Sequence, residues 1–481
     1  MLKRNAFIIA LLCAALLSAC NNAFEPQNKL NQIKERGVLR VLTRIDPTTY
    51  YQSPEGFNGL EYDLVNLFAK RLGVKVEFII PNTFDDLLWQ ITKGKADVAA
   101  AGITMTQQRQ KLIHFSQPYQ YITEQLLYHA RDKKPKQLSD LQNGILELVK
   151  NTSHTETFTA LQQSNPTLSW LTNDELDSNG LIYLLNAGLI DYTVSDSNQI
   201  ELIHRFYPNV EIAFDISEPL PIAWALSRDD DSSIYDEVNH FFSDIKHNHT
   251  LDQLLDRYYG HTSRLDDYEN CKFREHIRSR LPKYQSLFET AAKEYQLDWR
   301  LLAAIGYQES HWQTDISSGT GVKGIMMITQ DTADLIGIEN RDNAKQSIMG
   351  GTQYLKHRIE QISVETPEPD RTWFAIAAYN VGAAHLEDAR ILTLKQKGNP
   401  NKWLDVKKRL PLLREQKWFS QTKNGFARGD EPVIYVENIR SYYDLLIWHT
   451  ETSNPMKKNA MDERPALPPE NNALSIDTPL L

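Results

Sequence analysis

Cysteine is scarce in this chain: 481 residues hold three, Cys13, Cys20 and Cys271, too few for a disulfide framework and at spacings that match no zinc site. Long hydrophobic runs are lacking too. The run from Ala6 to Ala19 spans 14 residues, against the roughly 20 that a helix needs to cross a bilayer, and nothing in the composition suggests a polytopic membrane protein. Basic charge is in deficit, with 52 Lys and Arg against 62 Asp and Glu and a net charge of -10. That balance gives no general attraction to nucleic acid, whose phosphates call for a basic surface. Glycine and proline, 21 of each, stay in the ordinary globular range, which excludes collagen-like and disordered classes. What is present is material for real cores: 41% of residues are hydrophobic and 24% charged. At about 150 residues per domain the length allows two to four domains.

Lys3 and Arg4 precede the apolar run, which is the pattern of an export signal. Leu17-Ser18-Ala19-Cys20 resembles the bacterial lipobox, which implies cleavage before Cys20 and lipidation of that cysteine. A plain signal peptide cleaved near Ala19 is the alternative. Asn21 stands where an Asp would signal inner-membrane retention in such lipoproteins, so the resemblance points to the periplasmic face of the outer membrane. Loss of residues 1–19 removes Lys3 and Arg4 and no acid, leaving 50 basic against 62 acidic residues. Cys271 then remains as a free thiol, as expected of an exported protein that uses no disulfides.

Along the chain, short β-rich runs first alternate with helical patterns. Val38 to Leu42 reads as a buried strand, Leu60 to Leu72 as a helix, Val74 to Ile80 as a strand, Phe84 to Lys93 as a helix and Ala96 to Ala101 as a strand. Leu181 to Ala187 then reads as a helix leading into a strand at Tyr192-Thr193-Val194. This βαβ rhythm implies a parallel sheet with crossover helices. From about Pro282 long helices take over: Tyr284, Leu287, Phe288, Ala291, Ala292 and Tyr295 share one helix face. The expected organisation is a signal over 1–19, a tether over 20–33, an α/β domain over 34–260, a polar linker over 261–281, a helical domain over 282–450 and a disordered, proline-containing tail over 451–481.

The segment 34–260 carries Gly37-Val38-Leu39-Arg40-Val41, Gly59-Leu60-Glu61-Tyr62-Asp63-Leu64, Lys95-Ala96-Asp97-Val98, Thr104-Met105-Thr106-Gln107-Gln108-Arg109 and Phe115-Ser116-Gln117-Pro118-Tyr119, in that order. This set resembles the periplasmic amino-acid-binding proteins of solute-binding family three. The resemblance implies two α/β lobes joined by crossing strands, with a ligand held between them. It puts Arg109 on the ligand's α-carboxylate, a task that suits a planar bidentate donor. It puts Asp196, at the end of Asp191-Tyr192-Thr193-Val194-Ser195-Asp196, on the α-ammonium. Thr104 would donate a hydroxyl to the carboxylate, and Tyr50 or Tyr51 would stack on the ligand. From the residues alone, Arg109 reads equally as a surface ion-pair partner and Asp196 as a helix N-cap before Ser197. Fusion to a second domain favours sensing or substrate positioning over delivery to a transporter.

In the helical half, Asp298 can cap a helix starting at Trp299, and Leu302, Ile305 and Glu309 then share one face. Glu309 is a carboxylate aimed inward near a helix C-terminus. Burial and the helix dipole both disfavour its charged form and raise its pKa. A glutamate protonated near neutrality is what general-acid cleavage of a glycosidic bond needs, although a salt-bridged or rim glutamate fits the same pattern. Ser310 follows, and then come Gly321-Val322-Lys323-Gly324-Ile325-Met326-Met327-Ile328-Thr329, Gly350-Gly351-Thr352-Gln353-Tyr354-Leu355 and Ala377-Ala378-Tyr379-Asn380-Val381-Gly382. Together these resemble the motif set of family-one lytic transglycosylases, which have the goose-type lysozyme fold. Met327 stands where most members have Gln, which puts in doubt any substrate contact of that Gln.

The fold class implied is thus a bilobal, periplasmic-binding-protein-like α/β domain followed by a mainly α, lysozyme-like domain. Glycosidases ordinarily use two carboxylates, but no second acid stands at an obvious partner position: Asp315 and Asp331 read as helix-cap or surface acids. The resemblance resolves this by using Glu309 twice. It first protonates the oxygen between N-acetylmuramic acid and N-acetylglucosamine, then takes the proton of the muramyl 6-hydroxyl as that oxygen closes on C1 in a 1,6-anhydro ring. It also implies supporting roles for Ser310 beside Glu309, for Tyr379 in orienting the glutamate or sugar, and for Asn380 on an acetamido or backbone group. Met326 and Met327 would wall the cleft, with plain core packing as the competing reading.

His240, His247, His249 and His261 cluster in sequence, but His247 and His249 diverge on a helix, so they read as solvated surface; neither a metal nor a cofactor is expected. Expected partners are peptidoglycan strands, a muropeptide or amino-acid-like ligand at the first domain, and the outer membrane through the lipid anchor. Two other readings stay open: a hydrolytic goose-type muramidase, and a periplasmic sensor with an idle lysozyme-like domain.

Overall fold

Residues 28–53, 56–262, 265–317 and 321–452 are described by a computed structural model. The signal segment with Cys20 and the tail lie outside the described residues. Strand β1 (Val38–Leu42) leads through helix α1 (Leu60–Leu72) to β2 (Lys75–Ile79), and through α2 (Phe84–Thr92) to β3 (Val98–Thr104). β2 and β3 flank β1 in parallel, the two βαβ units expected from the alternation. α1 buries Leu64, Val65, Phe68 and Leu72 as one stripe and ends at Gly73, whose φ of 73° closes a left-handed C-cap. The Gly59 to Leu64 motif is structural. A Cβ at Gly59 would lie 2.1 Å from Thr49 O, and the buried Glu61 accepts hydrogen bonds from Gly102 N–H, the Tyr119 hydroxyl and the Trp224 indole.

At Thr123 the chain crosses into a second lobe, with β4 (Glu124–His129), α3 (Ser153–Ser164), β5 (Tyr192–Asp196) and β6 (Val210–Asp215). Its three-stranded sheet, β5-β4-β6, is antiparallel. The return strand β7 (Leu220–Ser227) then rejoins the first sheet antiparallel to β3. An all-parallel sheet is therefore not what forms. A chain that enters and leaves the second lobe across the same hinge must come back in the opposite direction.

After α4 (Thr250–Tyr259), the segment expected to be a linker is instead helix α5 (Asp267–Ser279), opened by a capping box between Asp266 and Glu269. Phe273, Ile277 and Leu281, four residues apart, sit in the helical core. Charges on the outer face hid this stripe in the sequence. The helical domain continues with α6 (Gln285–Tyr295), α7 (Trp299–Ser310), α8 (Ala344–Gln361), α9 (Asp370–Val381) and α10 (Asp430–Thr452). α7 is its axis: Leu301 to Tyr307 are all buried, and α6 and α10 pack on it. Among the described residues no helix is long and apolar enough to cross a membrane.

Candidate functional site

Helix α7 is fixed at both ends. Asp298 accepts from Arg300 N–H at 2.8 Å, clamps the Arg300 guanidinium and accepts from the Tyr443 hydroxyl at 3.0 Å. At the other end His311 and Trp312 take φ values of 50° and 57°, a left-handed exit that non-glycine residues seldom adopt. It is held by the buried Trp312, whose indole N–H donates to Ala303 O at 2.8 Å. Ser310 Oγ lies 2.9 Å from Ile325 O and 3.1 Å from Gly306 O. Ser310 thus ties the helix end to the methionine loop; these bonds do not run to Glu309.

That loop is shaped by close packing. A Cβ at Gly324, where φ is 79°, would lie 1.9 Å from Arg341 O. Met326 N–H donates to Ser347 Oγ at 3.2 Å. The Met326 side chain is fully buried, filling the space left by Gly306 and Gly351; a Cβ on Gly351 would come within 2.7 Å of Met326 Cβ. Met326 is therefore a core plug and not a cleft wall, because the missing side chains of Gly351 and Gly306 make room for it. Its backbone does reach the site: Met326 O accepts from the Tyr379 hydroxyl at 2.8 Å. Met327 is half-buried and left-handed, with φ 45°. Asn380 is exposed one residue beyond Tyr379.

Glu309 lies at the centre of these elements. Burial pushes its carboxyl up to about 7, against the opposing effect of a hydrogen bond that the Tyr435 hydroxyl donates to Oε1. The hydroxyls of Tyr379 and Tyr435 are both held well above the usual tyrosine range, by burial first and by the Glu309 charge next, so both remain protonated donors. With Oε1 taken by Tyr435, Oε2 is the oxygen free to carry a transferable proton. Asp315 and Asp331 are both exposed. Tyr435 escaped the sequence reading because Tyr435, Ile439, Tyr442 and Leu446 follow each other at helical spacing and are all buried. An aromatic in such a stripe reads as core. Only the packing of α10 on α7 turns its hydroxyl toward Glu309.

Between the two lobes of the first domain lies a cavity of about 540 Å³. Arg44, Asp46, Phe84, Thr104 and Arg109 line it from one side, and His154, Asp177 and Asp196 from the other. Arg109 is buried over the Phe84 ring, with its guanidinium carbon 5.0 Å from the centroid. Nη1 donates to Thr104 O at 3.1 Å, Nε lies 3.4 Å from Glu156 Oε1, and Nη2 is buried without a partner among the described residues. Asp196 occupies the N-cap position of the helix Ser197–Ile203 but makes no side-chain cap bond; its Oδ1 lies 2.9 Å from His154 Nε2. Burial works against its charge, but His154, Arg44 and Arg109 outweigh it and hold the carboxyl below the usual range. Tyr51 is not among the cavity-lining residues. The chain turns there into the hairpin Tyr51–Ser53/Gly56–Asn58, and Tyr50 stacks on Phe57 at 4.9 Å. The aromatic face of the cavity comes from Phe84 instead. Of the clustered histidines, His240, His247 and His249 are exposed, but His261 is buried at the domain junction, 2.7 Å from Asp444.

The family of bacterial extracellular solute-binding proteins, family 3, matches residues 39–261, and the transglycosylase SLT domain matches residues 286–403. Fold and site together thus define a lytic transglycosylase class of protein in which a solute-binding domain precedes the helical one. Membrane-bound lytic murein transglycosylase F of Pseudomonas fluorescens Pf-5 is 44% identical over 437 residues, covering 91% of this chain and 89% of that protein. The protein of that name from Pseudomonas putida GB-1 is 44% identical over 437 residues, covering 91% and 90%. This chain belongs to the membrane-bound lytic murein transglycosylase F family. Among solved structures, an ancestral arginine-binding protein bound to arginine is 25% identical, covers 47% of this chain and 99% of its own, and gives a TM-score of 0.43.

Proposed function

We propose that this protein cleaves the β-1,4 bond between N-acetylmuramic acid and N-acetylglucosamine in peptidoglycan without water, leaving 1,6-anhydro ends. The observation that carries this reading is Glu309, a half-buried residue whose carboxyl desolvation pushes up to about 7 and whose only hydrogen-bonding side chain among the described residues is Tyr435. Protonated Oε2 delivers its proton to the glycosidic oxygen as the C1–O4 bond breaks, which frees the N-acetylglucosamine side with a hydroxyl. The carboxylate so formed then accepts the proton of the muramyl 6-hydroxyl, whose oxygen bonds to C1. The proton count returns to its start. Tyr435 stabilises the carboxylate between the two steps, and Tyr379 holds the methionine loop against the site through Met326 O. Mass spectrometry of products from purified sacculi tests the reading: anhydro ends are expected, and reducing ends heavier by one water would instead make the protein a muramidase.

In the same proposal the first domain binds a muropeptide or amino-acid-like ligand and modulates activity. Arg109 and Thr104 would take its carboxylate and Asp196 its ammonium; Arg109, Thr104 and Asp196 all line the cavity, and Arg109 Nη2 is buried without a partner among the described residues, which supports this. Arg109→Ala should weaken binding of such a ligand at least tenfold by calorimetry, the loss of about 1.5 kcal/mol or more from a charge-assisted bond. Unchanged affinity would remove Arg109 from the clamp. Cys20 would be lipidated and hold the chain at the periplasmic face of the outer membrane.

A further inference from the structure

Glu124 opens β4 and Asp196 closes β5, and the antiparallel register sets these two residues directly opposite each other. Directly opposed side chains leave a sheet on the same face, and like charges so placed repel. Glu124 is also fully buried, and neither of its carboxylate oxygens has a hydrogen-bond partner among the described residues. A buried carboxylate in that condition is costly unless a cation meets it. His154, on the first turn of α3, completes the group, with Nε2 2.9 Å from Asp196 Oδ1. One potential ligand atom from each of Glu124, His154 and Asp196 lies within 4.8 Å of the other two.

We propose that Glu124, His154 and Asp196 form a binding site for a divalent transition-metal ion, with zinc the best match to one imidazole and two carboxylates. Three protein ligands with a fourth position left open is a common zinc arrangement. His154 and Asp196 line the inter-lobe cavity and Glu124 does not. The ion shares Asp196 with the ammonium position proposed above, so an ion held between all three residues and an amino-acid-like ligand exclude each other at Asp196. Carboxylates crowd this end of the cavity: Glu124 and Asp196 stand near Glu156, and Asp46 and Asp177 line the same cavity, against the guanidinium groups of Arg44 and Arg109 and the imidazole of His154. Arg109 is engaged with Glu156 and Thr104 O rather than with Glu124. The open coordination position would face the cavity, on the side where His154 and Asp196 line it.

The test uses the untagged full chain, stripped with chelator, with zinc alone as titrant in calorimetry and cobalt alone in absorption spectroscopy. The expected result is one ion per chain, a visible cobalt band, and affinity reduced about 100-fold or more by Glu124→Gln and by His154→Gln. Thermal unfolding and turnover of sacculi report whether each variant is folded, and the cobalt spectrum of the unaltered chain needs no variant. Failure of the unaltered chain to take up either ion at millimolar concentration overturns the proposal, as does unchanged zinc affinity in a folded Glu124→Gln chain. Neither outcome bears on Glu309.

Discussion

In the proposed mechanism Glu309 acts through one property, a carboxyl that burial holds up to about 7 when its ordinary value is 4.5. Because the acid step needs the proton, turnover should fall as pH rises through about 7. The base step adds no acid limb of its own, since the carboxylate it uses is made by the first step. Tyr435 lowers this pKa by favouring the charged form. Tyr435→Phe should therefore move the alkaline fall to higher pH and cut kcat by about ten- to a hundredfold, a charge-assisted bond of roughly 1.5–3 kcal/mol being lost. A pH–rate profile distinguishes this from mere damage, which lowers activity without moving the limb. Glu309→Gln should abolish anhydro-product release from sacculi. It should also raise stability with a telling pH dependence. A raised folded pKa means that the native state loses stability as pH rises from 4.5 through about 7. The stability gained by the variant should thus be small at acid pH and largest above neutrality, on the order of 3 kcal/mol in unfolding free energy.

At the scale of elements, the methionine loop and α8 fit together because two glycines remove side chains. Gly351→Ala separates two effects of opposite sign. Alanine improves helix propensity by about 1 kcal/mol over glycine. The new Cβ, however, would lie 2.7 Å from Met326 Cβ, on the stem of a fully buried side chain that has no free end to swing away. Overpacking of this kind costs about 1–3 kcal/mol, so packing should win. Lower melting temperature and reduced turnover are expected together, since displacing Met326 also moves the carbonyl that Tyr379 holds. A rise in melting temperature would show that the loop relaxes freely.

Across the whole molecule, α10 joins the catalytic and binding halves. Arg440 donates to Asp256 O at 3.0 Å and Arg257 O at 2.7 Å, at the end of α4. Lys407 pairs with both Asp256 and Glu437. Asp444 receives Arg205 at 2.6 Å and His261 at 2.7 Å, and Trp448 stacks on Phe206 with ring centroids 5.2 Å apart. The helix that brings Tyr435 to Glu309 is thus the helix against which the first domain is seated. Burial opposes the Asp444 charge, but Arg205 and His261 outweigh it and hold the carboxyl well below its ordinary 3.8. Its contribution is present above that value and fades as pH falls below it. Asp444→Asn should cost about 2 kcal/mol at neutral pH, less than a fully buried pair because the side chain is 32% exposed. Unfolding curves of variant and parent should converge in acid; a pH-independent difference would assign the loss to packing.

The two-domain order, the βαβ core and the Asp298-capped helix that carries Glu309 were all legible in the sequence, because each rests on local periodicity, local capping or ordered motifs close along the chain. The helix Asp267–Ser279 was legible in principle, through Phe273, Ile277 and Leu281, but its charged face read as linker. The antiparallel return of β7 was not, since a strand's direction within a sheet depends on where the chain re-enters it. Nor were the partners of the key side chains. Tyr435 meets Glu309 across 126 residues of sequence, and His154 meets Asp196 across 42. The same apolar stripe that marks α10 as a core helix also conceals the hydroxyl it turns toward Glu309. Sequence determined which residues can bear the chemistry; only tertiary packing decided which of them are desolvated and face one another, because burial and charge proximity are properties of distance in space and not along the chain.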